Sequence, residues 1–309
     1  MSLPPRLKIG TRSSVLALAQ VEEFQKLIRE TAQNLEFETV KIKTSGDKIQ
    51  DRNLADVGGK ALFIKELEEA LVKKDIDLAI HSAKDMPPFI HPETEIIAFT
   101  PRIDPRDCFI SSKYNSISKL PQGATIGTSS PRRKSILLHH RSDLNIVNFR
   151  GNVTTRLQKI SDHVVDGSII AYCGLSRIKR QDVIKEMIPT DFMLPAGGQG
   201  ALAIQIRKDC PASQQLAIIN HLNTQICIKG ERSFLRNLGA NCYTPVSIHA
   251  FIEGEQVRIR SIIYDHNGTD LFELSRTCEI NLQTSIQTGA EMAEITKQNA
   301  GHLLENISF

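Results

Sequence analysis

The sequence predicts an α/β protein of two lobes followed by a small α+β module. Three observations lead there. Short apolar runs alternate with helix-period segments over the first two-thirds of the 309 residues. Two Pro/Gly-containing breaks interrupt that alternation, and from about Ser213 the pattern changes to helix, three strands and helix. Alternating strands and helices indicate sheets wound from parallel strands, and this length suffices for two or three domains with a sizeable core.

Taken in order, residues 7–10 read as a strand that ends in the polar turn Thr11-Arg12-Ser13-Ser14. A helix over 15–32 opens at Ser13 or Ser14, whose hydroxyls can cap it, with Leu18, Val21, Leu27 and Ile28 spaced as its buried stripe. A strand at 37–43 precedes the polar, glycine-containing stretch 44–60, whose length without periodicity predicts a lid. Strands at 77–81 and 95–100 lead to the first break, Pro101-Arg102-Ile103-Asp104-Pro105-Arg106-Asp107. Further strands at 108–111, 125–127, 146–149 and 168–172 lead to the second, Leu194-Pro195-Ala196-Gly197-Gly198-Gln199-Gly200. The apolar run 201–206 then resumes a strand of the first lobe, and two crossings between lobes predict a hinged cleft. The expected division is 1–100 with 200–217, 101–199, and a module at 218–309 with strands at 246–252, 257–264 and 271–279 before a helix from Leu282.

Composition excludes several classes. The net charge of +3 is too small for a general nucleic-acid coat, and at 5% aromatics there are few stacking platforms for bases. No apolar run approaches the roughly 18–20 residues that span a bilayer, and the N-terminus runs straight into a strand without a signal-like apolar core, so a cytosolic location and no membrane partner are expected. The six cysteines (108, 173, 210, 227, 242 and 278) form no Cys-x-x-Cys pair, which fits free thiols in a reducing compartment and no metal site. Neither a Gly-x-x-x-x-Gly-Lys-Ser/Thr run nor a helix-opening Gly-x-Gly-x-x-Gly is present.

The charge is local instead. Between Gly127 and Arg156 six Lys/Arg face a single acid, Asp143. In Gly127-Thr128-Ser129-Ser130-Pro131-Arg132-Arg133, Ser130 reads as an N-cap and Pro131 as the first helical residue. Arg132 and Arg133 then fall at the positive end of a helix dipole, where each cation is disfavoured by about 0.3–1 kcal/mol unless an anion is near. Arg12, Lys84, Arg132, Arg133, Arg150, Arg156 and Arg177 all lie near predicted strand ends, where ligands of open α/β sheets gather. So many forked cations point to a small molecule bearing several carboxylates. Asp85, beside Lys84, is either half of a surface ion pair or a lone carboxylate among cations, able to stabilise a positive charge on a reacting group.

Several long motifs, in order and at matching spacing, resemble the porphobilinogen deaminase family over essentially the whole chain. They are Arg12-Ser13-Ser14, Val57-Gly58-Gly59-Lys60, His81-Ser82-Ala83-Lys84-Asp85-Met86-Pro87, Asp104-Pro105-Arg106-Asp107, Gly127-Thr128-Ser129-Ser130-Pro131-Arg132-Arg133, Arg150-Gly151-Asn152-Val153 with Thr155-Arg156, and Leu194-Pro195-Ala196 with Gly198-Gln199-Gly200. The resemblance implies two hinged lobes like those of periplasmic solute-binding proteins and a C-terminal α+β domain carrying a cofactor cysteine. It implies head-to-tail condensation of porphobilinogen, with loss of ammonia, on a dipyrromethane held by a thioether. Cys242 matches the attachment position. Lys60, Lys84, Asp85, Thr128, Ser129, Ser130, Arg132 and Arg133 match the cofactor-binding residues, Arg12, Ser14, Arg150, Arg156 and Arg177 the substrate-binding ones, and Asp85 the catalytic carboxylate. A cytosolic monomer is implied. The reading from another class is a non-catalytic hinged binding protein or sensor for a multiply carboxylated metabolite. Where the family often has a glycine pair before the cysteine, this chain reads Gly239-Ala240-Asn241-Cys242.

Overall fold

The computed structural model describes residues 6–31, 35–44 and 64–304. Lys60 and most of the expected lid, 45–60, lie outside the described residues. The chain divides into two compact units, one running to Ile103 with Gly200–Gln225, the other comprising Asp104–Gln199 and Ile226 onward.

The first unit is built on a five-stranded sheet. Its strands are β1 (Leu7–Thr11), β2 (Phe37–Lys41), β3 (Leu78–Ser82), β4 (Thr94–Phe99) and β10 (Leu202–Arg207), in the order β2-β1-β3-β10-β4. The helices are α1 (Val15–Thr31), α2 (Lys65–Val72) and the short α6 (Ser213–Ala217). The α1 stripe falls on Ala17, Gln20, Val21, Phe24 and Ile28, with Leu18 and Leu27 only half-buried. Phe24, Leu78, Ile80 and Ile204 join in one core, while Leu67, Leu71 and Ala79 form a second on the α2 side.

The second unit holds a five-stranded sheet ordered β7-β6-β8-β5-β9. Its strands are β5 (Asp107–Ile110), β6 (Thr125–Gly127), β7 (Asn145–Val147), β8 (Gly167–Ala171) and β9 (Glu186–Met187), and its helices α3 (Pro131–His140), α4 (Val153–Ser161) and α5 (Tyr172–Arg177).

Neither sheet is wholly parallel, as the strand–helix alternation led one to expect. In the first, β1 pairs in parallel with β2 and β3, but β10 runs antiparallel to both β3 and β4. The cause is the path of the chain: it leaves the sheet after β4 and returns beside its exit, where Thr100 N donates to Leu202 O at 3.1 Å. A strand entering where its neighbour leaves must run the other way. In the second sheet β5, which follows the crossing, is likewise antiparallel to β8 and β9.

The same unit includes the antiparallel meander β11 (Val246–Glu253), β12 (Gln256–Tyr264), β13 (Leu271–Glu279). Helix α7 (Leu222–Leu238) contributes Ile226, Phe234 and Leu238 to the core over this sheet, and α8 (Leu282–Ala300) contributes Met292 and Ala293. Asn281 caps α8 by accepting from the backbone of Gln283 and Thr284. The two helices approach so closely that a Cβ at Gly289 would collide with the carbonyl of Gly230 and lie 3.1 Å from Phe234 N. Backbone cannot yield there as a side chain could. Gly289→Ala is therefore expected to destabilise the protein by about 1–3 kcal/mol, seen as a lower urea midpoint with an unchanged slope.

Candidate functional site

In the first unit the sequence-expected residues converge on a pocket at the carboxyl ends of β1 and β3. Arg12, Ser14, Gln20, His81, Ser82 and Asp85 line it. Ser14 opens α1, its Oγ accepting from Ala17 N at 3.2 Å, so Arg12 lies in the turn between strand end and helix cap. Gln20, buried on α1, donates through Nε2 to Ser82 Oγ at 2.6 Å and ties the helix to the end of β3. A single 3₁₀ turn, Ala83–Asp85, follows β3 and carries half-buried Lys84 and Asp85.

In the second unit the turn after β6 is tightly specified. Thr128 N donates to Val147 O at 3.0 Å and Thr128 Oγ1 accepts from Ser130 N at 3.2 Å. Ser129 Oγ donates to Asn148 Oδ1 at 2.5 Å and accepts from Phe149 N at 3.1 Å. Ser130 is the N-cap of α3, accepting from Arg133 N, with Pro131 in the first turn. Arg132 and Arg133 do not lie on the surface, however. Both are buried and both grip Asp107, the first residue of β5. Arg132 Nη2 lies 2.6 Å from Asp107 Oδ2, and Arg133 Nη2 lies 2.8 Å from Oδ1. Arg132 Nη1 also donates to Leu194 O at 2.7 Å and Arg133 Nη1 to Ile169 O at 2.9 Å. Gln199 Nε2 completes the cluster with bonds to Asp107 Oδ1 at 3.0 Å and Pro105 O at 2.6 Å.

Sequence reasoning missed Asp107, which it left in the first break. The signal was present: a carboxylate set directly against the apolar run Cys108-Phe109-Ile110 needs a cation. Burial alone would raise its pKa, but the charges of Arg133 and Arg132 prevail and hold the carboxyl well below the usual range. Burial presses the Arg132 guanidinium down, and Asp107 opposes this.

Two guanidiniums and one carboxylate leave one net positive charge inside the protein. Arg133 Nε is also buried without a hydrogen-bonding partner among the described residues, as is Arg150 Nη1. An enclosed net cation with unused donors fits a carboxylate-bearing group.

The other basic residues of this unit sit at neighbouring junctions. Arg150 and Arg156 flank the start of α4, where Asn152 caps by accepting from Thr155 N at 2.8 Å and Arg156 Nε donates to Gly151 O at 2.8 Å. Arg177 ends α5, just beyond β8. Cys242 follows α7 on a turn defined on both sides. The helix closes with Ala240 N donating to Leu235 O and Gly239 N to Arg236 O, Gly239 taking φ +75°. This is the double bond pattern that a left-handed glycine allows. Asn241 then accepts from Tyr243 N at 2.8 Å and donates through its backbone N–H to Thr244 Oγ1 at 2.9 Å. Neither Ala240 nor Asn241 has a positive φ, so the turn needs no glycine pair. Cys242 is half-buried and not disulfide-bonded.

Comparison with known proteins gives the class. The family described as porphobilinogen deaminase, dipyrromethane cofactor binding domain, matches residues 7–215, and the porphobilinogen deaminase C-terminal domain matches residues 225–298. The porphobilinogen deaminase of Nitrobacter winogradskyi is 43% identical over 296 residues, 95% of this chain and 93% of that protein. That of Helicobacter hepaticus is 41% identical over 278 residues, 89% and 86% of the two chains. The chloroplastic enzyme of Pisum sativum is 41% identical over 302 residues, 96% and 82%. Among solved structures, a nutrient binding protein from Burkholderia cenocepacia bound to methionine is similar at a TM-score of 0.42 and 16% identity, over 69% of this chain and 91% of that one, too loosely to carry an argument. The chain belongs to the porphobilinogen deaminase family. Its activity is that of hydroxymethylbilane synthase, a transferase of tetrapyrrole and heme biosynthesis that uses a dipyrromethane cofactor and takes porphobilinogen as substrate. A non-catalytic binding protein is not favoured.

The Asp107 cluster yields a stability prediction. A carboxylate whose folded pKa is depressed contributes stability that is complete above its unfolded pKa, about 4, and is lost as the pH falls toward the folded value. Asp107→Asn is expected to cost about 3–5 kcal/mol near neutral pH. Urea unfolding should show the gap to wild type shrinking below about pH 4; a gap that is absent near neutrality or constant with pH contradicts the account.

Proposed function

We propose that the residues identified above divide the reaction between them as follows. Cys242 carries the dipyrromethane by a thioether, a bond that survives repeated cycles where an oxygen ester could hydrolyse. Arg132 and Arg133, held rigid by Asp107 and Gln199, bind its carboxylates with Lys84, Lys60 and the hydroxyls of Thr128, Ser129 and Ser130. When bound, that group supplies the primer on which the chain is extended. The observation that carries this assignment is the buried net positive charge of the Asp107 cluster with Arg133 Nε unpartnered among the described residues.

Arg12, Ser14, Arg150, Arg156 and Arg177 hold porphobilinogen. Each of its rings bears an acetate and a propionate, which forked guanidiniums can bind in bidentate fashion. Asp85 is the catalytic carboxylate. It accepts from pyrrole N–H groups and stabilises the cationic azafulvene left when ammonia leaves the substrate, an electrostatic role in which the anion is in place before the cation forms. The protein works as a cytoplasmic monomer with neither nucleic acid nor membrane as partner. Among the described residues no helix is long and apolar enough to cross a membrane.

The mass of the purified chain tests the anchor. It is expected to exceed the sequence mass by one dipyrromethane, and Cys242→Ser should lose both the added mass and turnover; an active chain of bare sequence mass contradicts the assignment. Asp85→Asn is expected to keep the added mass while turnover falls about 100–1,000-fold. Near-normal turnover in that variant would remove Asp85 from the mechanism.

A further inference from the structure

His81 is left unused by these roles, though it lines the same pocket as Arg12, Ser14 and Asp85 and is only 6% exposed. Its Nε2 lies 3.0 Å from Gln205 Oε1 on the neighbouring strand β10. Gln205 donates through Nε2 to Glu68 Oε1 on α2 at 2.7 Å and to Thr94 Oγ1 on β4 at 2.8 Å. An ionised carboxylate only accepts, so the amide nitrogen must face Glu68 and the amide oxygen must face the imidazole. That oxygen in turn needs an N–H, so His81 Nε2 carries a proton.

With Nε2 committed to Gln205, Nδ1 is the ring nitrogen left for a ligand in the pocket that His81 lines. Burial lowers the imidazole pKa to about 4, against the opposing pull of Gln205 and Asp85. The ring is neutral at physiological pH, and Nδ1 offers a lone pair.

We propose that His81 is a positioning residue for porphobilinogen, its Nδ1 accepting a hydrogen bond from the aminomethyl ammonium and so orienting the carbon–nitrogen bond that breaks. This rests on the reading that the Asp85 pocket receives the substrate. When that bond breaks, its electron pair leaves with the nitrogen as ammonia and the positive charge stays on the pyrrole. A carboxylate at the ammonium would bind it most strongly before it leaves, which favours the ground state. A neutral acceptor directs the amine with less of that penalty and leaves the anion, Asp85, for the ring. Gln205, Glu68 and Thr94 maintain the tautomer this requires.

Nitrogen-15 NMR of the histidine-labelled holoenzyme reads the tautomer directly, with the His81 signals identified by their loss in His81→Gln. Near neutral pH, Nε2 should be protonated and Nδ1 not; any other protonation pattern overturns the proposal. His81→Gln retains a polar group toward Gln205 but lacks Nδ1. Its kcat/KM for porphobilinogen is expected to fall about 10–100-fold. Calorimetric affinity of the holoenzyme for an analogue with methyl in place of aminomethyl should stay within about twofold, since only the lost hydrogen bond distinguishes the two ligands. Equal losses for substrate and analogue, or no loss for either, overturn it. Gln205→Leu keeps the imidazole but frees the tautomer, and the same selective loss is expected there, which supplies the test if His81→Gln does not fold. If Asp85→Asn turns over normally, the pocket is not where the substrate reacts. If Asp85→Asn is slow while His81→Gln is normal, the His81 proposal alone fails.

Discussion

Asp107 pairs at once with Arg132 and Arg133, all three buried, and the rest of the second unit is arranged around that cluster. Two cations in the first turn of α3 oppose the helix dipole, and burying them without an anion would cost several kcal/mol. The carboxylate at the start of β5 resolves both difficulties. It also fixes position, because the arginines reach Leu194 O and Ile169 O while Gln199 reaches Asp107 and Pro105 O. One acid thereby joins β5, α3, β8 and the 194–200 crossing. Glu231, fully buried on α7, extends the arrangement: it accepts from Gly198 N at 2.6 Å and Ala250 N at 2.7 Å, so the helix leading toward Cys242 is tied to the same crossing.

Placing cations at the carboxyl ends of strands gives each a rigid base. Arg12 stands between the end of β1 and the Ser14 cap of α1, and Arg132 and Arg133 stand between β6 and α3 under the Ser130 cap. Arg150 occupies the equivalent place between β7 and α4 under the Asn152 cap. In each case the cap satisfies a backbone donor that would otherwise compete for the basic residue's anion. Side chains mounted in this way lose little further freedom when an anion arrives, which favours affinity through preorganisation.

Much of this was legible in the sequence, for identifiable reasons. Local signals were read well: Ser130 and Pro131 open α3 as their side chains dictate, β6 falls at Thr125–Gly127, and β13 at Leu271–Glu279. What escaped depends on residues distant in sequence. The sense of β10 follows from where the chain re-enters the sheet, which no local pattern encodes. The buried stripe of α1 is centred on Phe24 and includes Gln20, because Ser82, 62 residues away, offers it a partner. Asp107 read as part of a polar break since its partners lie 25 and 26 residues on. The turn before Cys242 dispenses with a glycine pair because Gly239 takes the left-handed backbone and the Asn241 side chain accepts from Tyr243 N.

The place of β10 also bears on how the protein comes to be folded during synthesis. It lies between β3 and β4 in the sheet, yet Leu202, paired with Ser82, is made 120 residues later. Until the ribosome has passed Arg207, the inner edges of β3 and β4 have no partner, and unpaired strand edges invite intermolecular pairing. At about 5–20 residues per second, that interval of 120 residues lasts roughly 6–24 s, during which the second sheet can form in full. The insertion thus makes the sheet begun first the one finished later, and leaves a nascent sheet that must be kept apart from its copies on neighbouring ribosomes.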